Sequence, residues 1–221
     1  IDRGTDLARR LLAFSRRQLL QPAPVASAPL LDEVGALIKR TMGADVHLEI
    51  KVANNLPMVM ADYGQLHTAI LNLALNARDA MPKGDHLRIT AETFWLGESY
   101  AGMETGVPAG KYVRLAVADT GTGMTPEVLK NAYEPFFTTK TSTHGTGLGL
   151  SMVYGFVKQS GGHIAITTEL GRGTTINLFL PLAAAPAAPE PPVQAPIATL
   201  RGNGETVLFL DDDAQIRKAA K

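Results

Sequence analysis

The most constraining stretch of this chain is Asp119–Leu150, DTGTGMTPEVLKNAYEPFFTTKTSTHGTGLGL. Glycine clusters bound it, DTGTGM at 119–124 and GTGLGL at 145–150, with a Thr-rich segment around Lys140 between them. Glycine lets backbone approach a ligand closely and adopt positive φ. A glycine cluster that opens a helix presents free N–H groups to an anion. GTGLGL runs directly into SMVYGFVKQS, where Leu150, Val153, Tyr154 and Val157 recur at helical spacing. The second cluster therefore reads as a phosphate cradle at a helix start. The plainer reading of either cluster alone is a flexible connector.

A second element, Leu66–Met81, reads LHTAILNLALNARDAM. At about 100° per residue, Asn72, Asn76 and Asp79 share one helix face, and Leu66, Ala69, Ile70, Leu73 and Ala77 an adjacent one. The helix thus packs on a core and shows an amide-rich edge. Asn is a middling helix former, and solvated faces more often carry Lys and Glu. An amide oxygen suits Mg²⁺, a hard cation that prefers oxygen ligands.

The order NLALNARDAM, DTGTGM, EPFFTTK, GTGLGL resembles the N box, first glycine box, F box and second glycine box of sensor histidine kinases, and GRGTTINLFLP at 171–181 resembles the closing strand of the same domain. The resemblance covers about Pro22–Leu182. It implies an α/β fold: a two-layer sandwich of a mixed sheet and helices with a lid over ATP, shared with gyrase-type, mismatch-repair and heat-shock-chaperone ATPases. By resemblance Asn76 is the Mg²⁺ ligand and Asn72 supports the phosphate region. Asp119 takes the adenine amino group, a role that its acceptor-only carboxylate fits. Gly121, Gly123 and Met124 close over the base and Thr174 adds a hydroxyl. Lys140 swings with the lid onto the phosphates, making Asn72, Asn76 and Lys140 the catalytic set. Asp79, Phe137, Thr139, Gly145, Thr146, Gly147, Leu148 and Gly149 complete the nucleotide contacts, while Phe136 and Phe137 anchor the lid to the core or simply pack there. The family often carries Lys or Arg three residues past the Mg²⁺ ligand; here that residue is Asp79, and Arg78 falls on another helix face.

The remaining chain reads in order. Residues 1–21 form one long helix with a stripe through Leu7, Leu11 and Phe14; RGTDLARRLLAFSRRQ resembles the last helix of a kinase dimerisation and phosphotransfer domain. Gln21–Ala28 is a Pro-rich extended connector. A helix over Pro29–Met42 and strands over Asp45–Val52 and Pro57–Met60 follow, and Asp62 caps the Asn-bearing helix. Strands over His86–Leu96 and Tyr112–Asp119 pair around a Gly-rich loop, and the chain closes with strands over His163–Thr168 and Thr174–Pro181. The catalytic domain is thus 22–182. Residues 183–204 are an Ala/Pro-rich linker. Residues 205–221, ETVLFLDDDAQIRKAAK, resemble the start of a truncated receiver domain, whose acids Asp211 and Asp212 would hold Mg²⁺ in an intact receiver.

Composition narrows the function classes. Formal net charge is +0, so nothing argues for nucleic acid. There is no cysteine, which excludes disulfides and thiolate metal sites. No apolar run is long enough for a membrane span, and a cytoplasmic location is expected, with attachment to a membrane left to the full-length protein. None of the five histidines, His47, His67, His86, His144 and His163, has the acidic neighbour and helical setting of a phosphoacceptor. The expected function is the ATP-binding core of a hybrid protein-histidine kinase, a phosphoprotein of two-component signal transduction. It hands a phosphoryl group to a histidine helix of the same protein, expected upstream of Ile1, and then to a receiver or response regulator. The full protein is expected to be a homodimer, this piece a monomer or weak dimer. The alternatives are a gyrase- or chaperone-type ATPase, disfavoured because Asn72 stands where that class carries a Glu base, and a nucleotide-binding regulatory module without kinase activity.

Overall fold

The computed structural model describes residues 20–43, 45–82, 84–97, 107–140 and 146–183. All lie in the first of two units into which the chain divides, 1–184 and 185–221. The expected N-terminal helix, the receiver remnant with Asp211 and Asp212, Gly145, His144 and nearly all of the linker fall outside the described residues.

Five strands form the main sheet in the order β2 (Val46–Val52), β4 (Asp85–Leu96), β5 (Gly110–Asp119), β7 (Gly173–Pro181), β6 (His163–Glu169). The β2–β4 pair is parallel and the others antiparallel, so the sheet is mixed. Alternation along the strands sorts the residues by face: Leu87, Ile89 and Ala91 of β4, Val113, Leu115 and Val117 of β5, and Ile176, Leu178 and Leu180 of β7 are all buried. Against them pack α1 (Ser27–Thr41), α2 (Tyr63–Ala80) and α4 (Gly149–Gln159). In α1, Leu30, Leu31, Val34 and Ile38 are fully buried at helical spacing, and Gly43 lies just beyond the helix at φ 78°. The result is the two-layer α/β sandwich expected from the motifs.

The Pro-rich connector departs from expectation. Ala23–Val25 is a strand, β1, antiparallel to β3 (Val59–Ala61), and α1 begins at Ser27. Pro24 sits opposite Met60 in a two-stranded sheet, where a missing N–H is tolerated at the free edge. Val25, Val59 and Ala61 are buried, so this small sheet belongs to the core. Val59 also bridges Leu182, and Ala183 N–H donates to the Met58 carbonyl at 2.8 Å, which keeps the first residue of the expected linker tied to the domain.

Asp62 caps α2 as expected. Its Oδ1 accepts from Gln65 N–H at 3.0 Å, and Oδ2 accepts from Gln21 N–H at 3.0 Å. These bonds, Gln21 first, hold its carboxyl below the usual value of 3.8. A depressed folded pKa contributes stability above the unfolded pKa that is lost as pH falls through the folded one. Asp62→Ala is therefore expected to lower stability by about 1 kcal/mol at neutral pH, with the difference from wild type closing below pH about 4. Denaturant titrations at pH 7 and pH 3 check this.

Candidate functional site

The site forms where α2, the ends of β5 and β7, and the two glycine loops meet. On α2, Leu66, Ala69, Ile70, Leu73, Ala74 and Ala77 are buried, which turns Asn72, Asn76 and Asp79 along the border between core and opening. A cavity of about 720 Å³ lies there, and its lining includes Asn72, Asn76, Asp79, Asp119, Gly123, Met124, Phe137, Thr139, Lys140, Thr146, Gly147, Gly149 and Thr174. Sixteen residue positions in the catalytic domain were expected at the site, and these thirteen converge on one space; Gly121, Leu148 and Gly145 are the remainder. Leu148 is buried beneath the loop, its carbonyl accepting from Ser151 Oγ at 3.0 Å. Gly121 lies behind the lining and positions Asp119.

Asp119 ends β5 after the buried run Leu115, Ala116 and Val117. Its Oδ1 accepts from Gly121 N–H at 2.9 Å and Thr174 N–H at 3.3 Å. Burial pushes its carboxyl above the usual 3.8, and these two bonds only partly offset the rise. The walls close on it through two glycines. A Cβ on Gly121 would sit 2.6 Å from the Ala80 carbonyl oxygen, and one on Gly173, at φ 104°, 2.0 Å from that of Asp119. The Thr168 hydroxyl, unremarked in the sequence, joins the loops: it accepts from Met124 N–H at 2.9 Å, donates to the Gly173 carbonyl at 3.0 Å and meets Thr174 Oγ1 at 3.0 Å. Leu73, Ala77, Val117 and Ile176 add an apolar lining.

The opposite end is cationic. Lys140 Nζ donates to Asp79 Oδ2 at 2.6 Å and to Asn76 Oδ1 at 3.1 Å. Arg78 Nε and Nη2 donate to Asp79 Oδ1 at 3.1 and 2.9 Å. Burial raises the Asp79 carboxyl, but the Lys140 and Arg78 bonds outweigh it and the net direction is down. Arg78 itself lines the cavity. Arg78 springs from another helix face, as read from the sequence, but its long side chain folds back to Asp79 and so reaches the cavity. The first N–H groups of α4 lie nearby, with the Gly149 Cβ position 3.7 Å from Asn76 Nδ2.

The F-box segment is corrected. Phe136 is 47% exposed and takes φ 68°, so its ring is no core anchor. Its backbone makes the contact: Phe136 N–H donates to the Gly147 carbonyl at 2.9 Å, and a Cβ on Gly147, at φ 65°, would lie 2.3 Å from the Phe136 carbonyl carbon. A short helix that sequence reading missed, α3 (Pro126–Asn131), follows the first glycine loop; Thr125 caps it, accepting from Val128 N–H at 3.3 Å. Its signal was legible as Thr-Pro-Glu, a cap followed by Pro at the first helical position.

A mixed-sheet α/β sandwich with a cavity between sheet and helices, roofed by glycine loops, acidic at its apolar end and cationic at its mouth, defines the nucleotide-handling class of such folds. The family described as "Histidine kinase-, DNA gyrase B-, and HSP90-like ATPase" matches residues 61–184, and the chain belongs to that family. It is 41% identical over 222 residues to sensor kinase CckA of Brucella abortus, a match covering 98% of this chain and 24% of that protein. To sensory histidine kinase/phosphatase NtrB of Rhizobium meliloti it is 30% identical over 192 residues, 86% of this chain and 49% of that protein. The chain thus spans less than half the length of either relative. Among solved structures, full-length ShkA in complex with AMPPNP aligns at TM-score 0.58 and 31% identity over 75% of this chain and 32% of that one. The catalytic domain of histidine kinase ThkA aligns at 0.58 and 25%, over 74% of this chain and 97% of that one.

Asp119→Asn tests the strain of the partly buried carboxylate. Both backbone bonds land on Oδ1, so an amide oxygen can keep them. The carboxyl's folded pKa is raised, so ionising it opposes folding, and that cost grows as pH rises from the unfolded pKa through the folded one. The variant is expected to melt at or above the wild-type temperature at pH 7, with the gain shrinking toward pH 4. Thermal melts across that range check the sign.

Proposed function

We propose that this chain is the ATP-binding catalytic core of a two-component sensor histidine kinase. The observation that carries the reading is the polarity of a single cavity. An acceptor-only carboxylate, Asp119, stands among apolar walls at one end, and Lys140, Arg78 and the start of α4 stand at the other. Adenine offers an amino donor to the first, and a triphosphate offers charge to the second. The AMPPNP held by ShkA supports the same ligand here.

In this reading Asp119 and Thr174 select the base, Gly123 and Met124 cover it, and Phe137, Thr139, Thr146, Gly147 and Gly149 enclose the rest of the nucleotide. Lys140 neutralises charge on the phosphates, with Asn72 alongside. Phosphoryl transfer requires mainly positioning and charge neutralisation from the protein. The acceptor is a histidine on a dimerisation helix of the same protein, and the phosphoryl then passes to an aspartate of a receiver, in hybrid arrangement with the segment at 205–221 or on a separate response regulator. The four described histidines make poor acceptors. His163 is buried, and His47 and His86 pack ring to ring across β2 and β4; His67 alone of the four lies on a helix near an acid, its Nε2 3.9 Å from Glu33 Oε1, but that acid comes from α1 and not from an adjacent position in the chain.

Magnesium fits the donor set. Asn76 Oδ1 and Asp79 Oδ2 converge on one cationic group, the Lys140 ammonium, and oxygen donors suit a hard cation. Among the described residues no cluster of three or more His, Cys, Asp or Glu could hold a metal, so the remaining ligands would come from phosphate and water. Asn76 would hold the ion, whose chemistry is to neutralise phosphate charge. The ATPase alternative lacks a base at Asn72, since a neutral amide takes no proton at ordinary pH. No described helix is long and apolar enough to cross a membrane; a cytoplasmic location belongs to the same proposal.

Asn76→Ala is expected to remove most of the Mg²⁺-dependent gain in ATP affinity, a loss on the order of tenfold or more, while the fold persists. Calorimetric titrations with and without Mg²⁺ test this, and wild-type-like Mg²⁺ dependence in the variant sinks the assignment. With γ-labelled ATP the chain is expected to bind nucleotide yet release almost no phosphate and gain almost no acid-labile label. Rapid phosphate release would instead move it to the ATPase class.

A further inference from the structure

Asp79 is an anomaly in a cavity read as holding a polyanion. A carboxylate beside phosphates repels them, yet Asp79 lines the cavity at its cationic end. Its bonds give it a different task. Oδ1 receives the Arg78 guanidinium through Nε and Nη2, and Oδ2 receives the Lys140 ammonium at 2.6 Å. Arg78 is its neighbour on α2, whereas Lys140 arrives from the end of the F box, 61 residues later. The same ammonium donates to Asn76 Oδ1. With Arg78 +1, Lys140 +1 and Asp79 −1, the trio keeps a formal charge of +1 beside the cavity.

We propose that Asp79 is a positioning residue: it tethers Lys140, and with it the base of the lid segment, to α2 so that the ammonium is aimed at the phosphates of a bound nucleoside triphosphate. This rests on the nucleotide-binding reading above. Lysine is a point charge on a flexible four-carbon stem, so holding it in one direction costs rotamer entropy. Its ammonium has three donors, and Asp79 and Asn76 engage two, so a donor remains for a phosphate oxygen. Arg78 is held back on Asp79 by two bonds to one oxygen, which stiffens the carboxylate that holds the lysine. The tether also connects residues 138–140 to the nucleotide site, because they are bonded to one another: Lys140 N–H donates to Thr138 Oγ1 at 3.1 Å.

A double-mutant cycle on the chain tests this, with AMPPNP and adenosine as probes in calorimetric titrations. In the wild-type background Asp79→Asn is expected to weaken AMPPNP binding about threefold to tenfold, the usual size of coupling between groups in contact. In the Lys140→Met background the same change is expected to be neutral or to strengthen binding, because only a repelling charge is then removed. Adenosine, which lacks phosphates, is expected to bind all four proteins alike. Asp79→Glu keeps a carboxylate and is expected to restore most of the AMPPNP affinity. Amide exchange at residues 137–140 is expected to speed up in Asp79→Asn. Lys140→Gln, altered outside α2, gives the same exchange reading without touching the helix, so a misfolded Asp79 variant leaves the test intact. An Asp79→Asn effect of equal size and sign in both backgrounds, or lid amides unmoved by either variant, overturns the tether. If the wild-type chain binds neither probe, the nucleotide reading falls as well; binding without coupling removes the tether alone.

Discussion

Ending an apolar strand in a carboxylate is costly, because a desolvated charge is disfavoured unless the protein replaces its water. Asp119 is held there by the N–H groups of Gly121 and Thr174, and much of the site's backbone is arranged around those two bonds. Gly121 can turn in only because no Cβ meets the Ala80 carbonyl, and Gly173 can pass only because none meets Asp119's own carbonyl. Thr122 N–H then docks on the Ala80 carbonyl at 3.0 Å, which fixes the first glycine loop to the end of α2. One partly buried carboxylate thus sets the relation between β5, β7 and the helix that carries Asn72, Asn76 and Asp79.

From that fixed end the cavity acquires direction. Its floor is the sheet and the apolar flank of α2, rigid because both are packed into one core. Its mouth is a loop and a helix start: the Lys140 side chain joins it to Asp79 and Asn76 of α2, and a backbone bond from Phe136 to Gly147 holds the loop to the helix start. A rigid base site under a roof attached by a few polar bonds is a workable design for taking in and releasing a ligand whose ends differ in chemistry. Loops of this kind sit at the low-stability end of a fold, and here the side-chain bonds that restrain the roof end on Asn76 and Asp79 at the cationic end of the cavity.

The parts legible in the sequence were those with local periodicity. The apolar face of α2, the alternation in β4, β5 and β7, and the Asp62 cap follow from spacing within a few residues, and the structure has them at nearly the expected boundaries. The glycine positions were legible as a set, since several glycines within two short loops have few bland explanations. What escaped depended on distance or reach. β1 is made by a partner 38 positions away, Ala23 against Ala61, and its Pro residues argue locally for a connector. Arg78 was assigned by its Cα direction, but a guanidinium reaches around a helix. Phe136 was read by the hydrophobicity of its ring, whereas its contact is made by backbone at positive φ. Thr168 is one Thr among many until the turn at Gly171–Gly173 brings it under Met124.

The central claim is that Asp119 reads adenine in this cavity. Adenine presents an amino donor where guanine presents a carbonyl oxygen, and two acceptors facing each other in a buried site leave both without a proton. An unsatisfied buried acceptor costs about 1–3 kcal/mol, or roughly fivefold to more than a hundredfold in affinity. Competition titrations of the chain with ATP, GTP and ITP under identical Mg²⁺ and salt measure this directly. The account predicts that ATP binds at least about fivefold more tightly than either oxo-purine. Equal affinities for the three would contradict it and leave Asp119 as a structural carboxylate only.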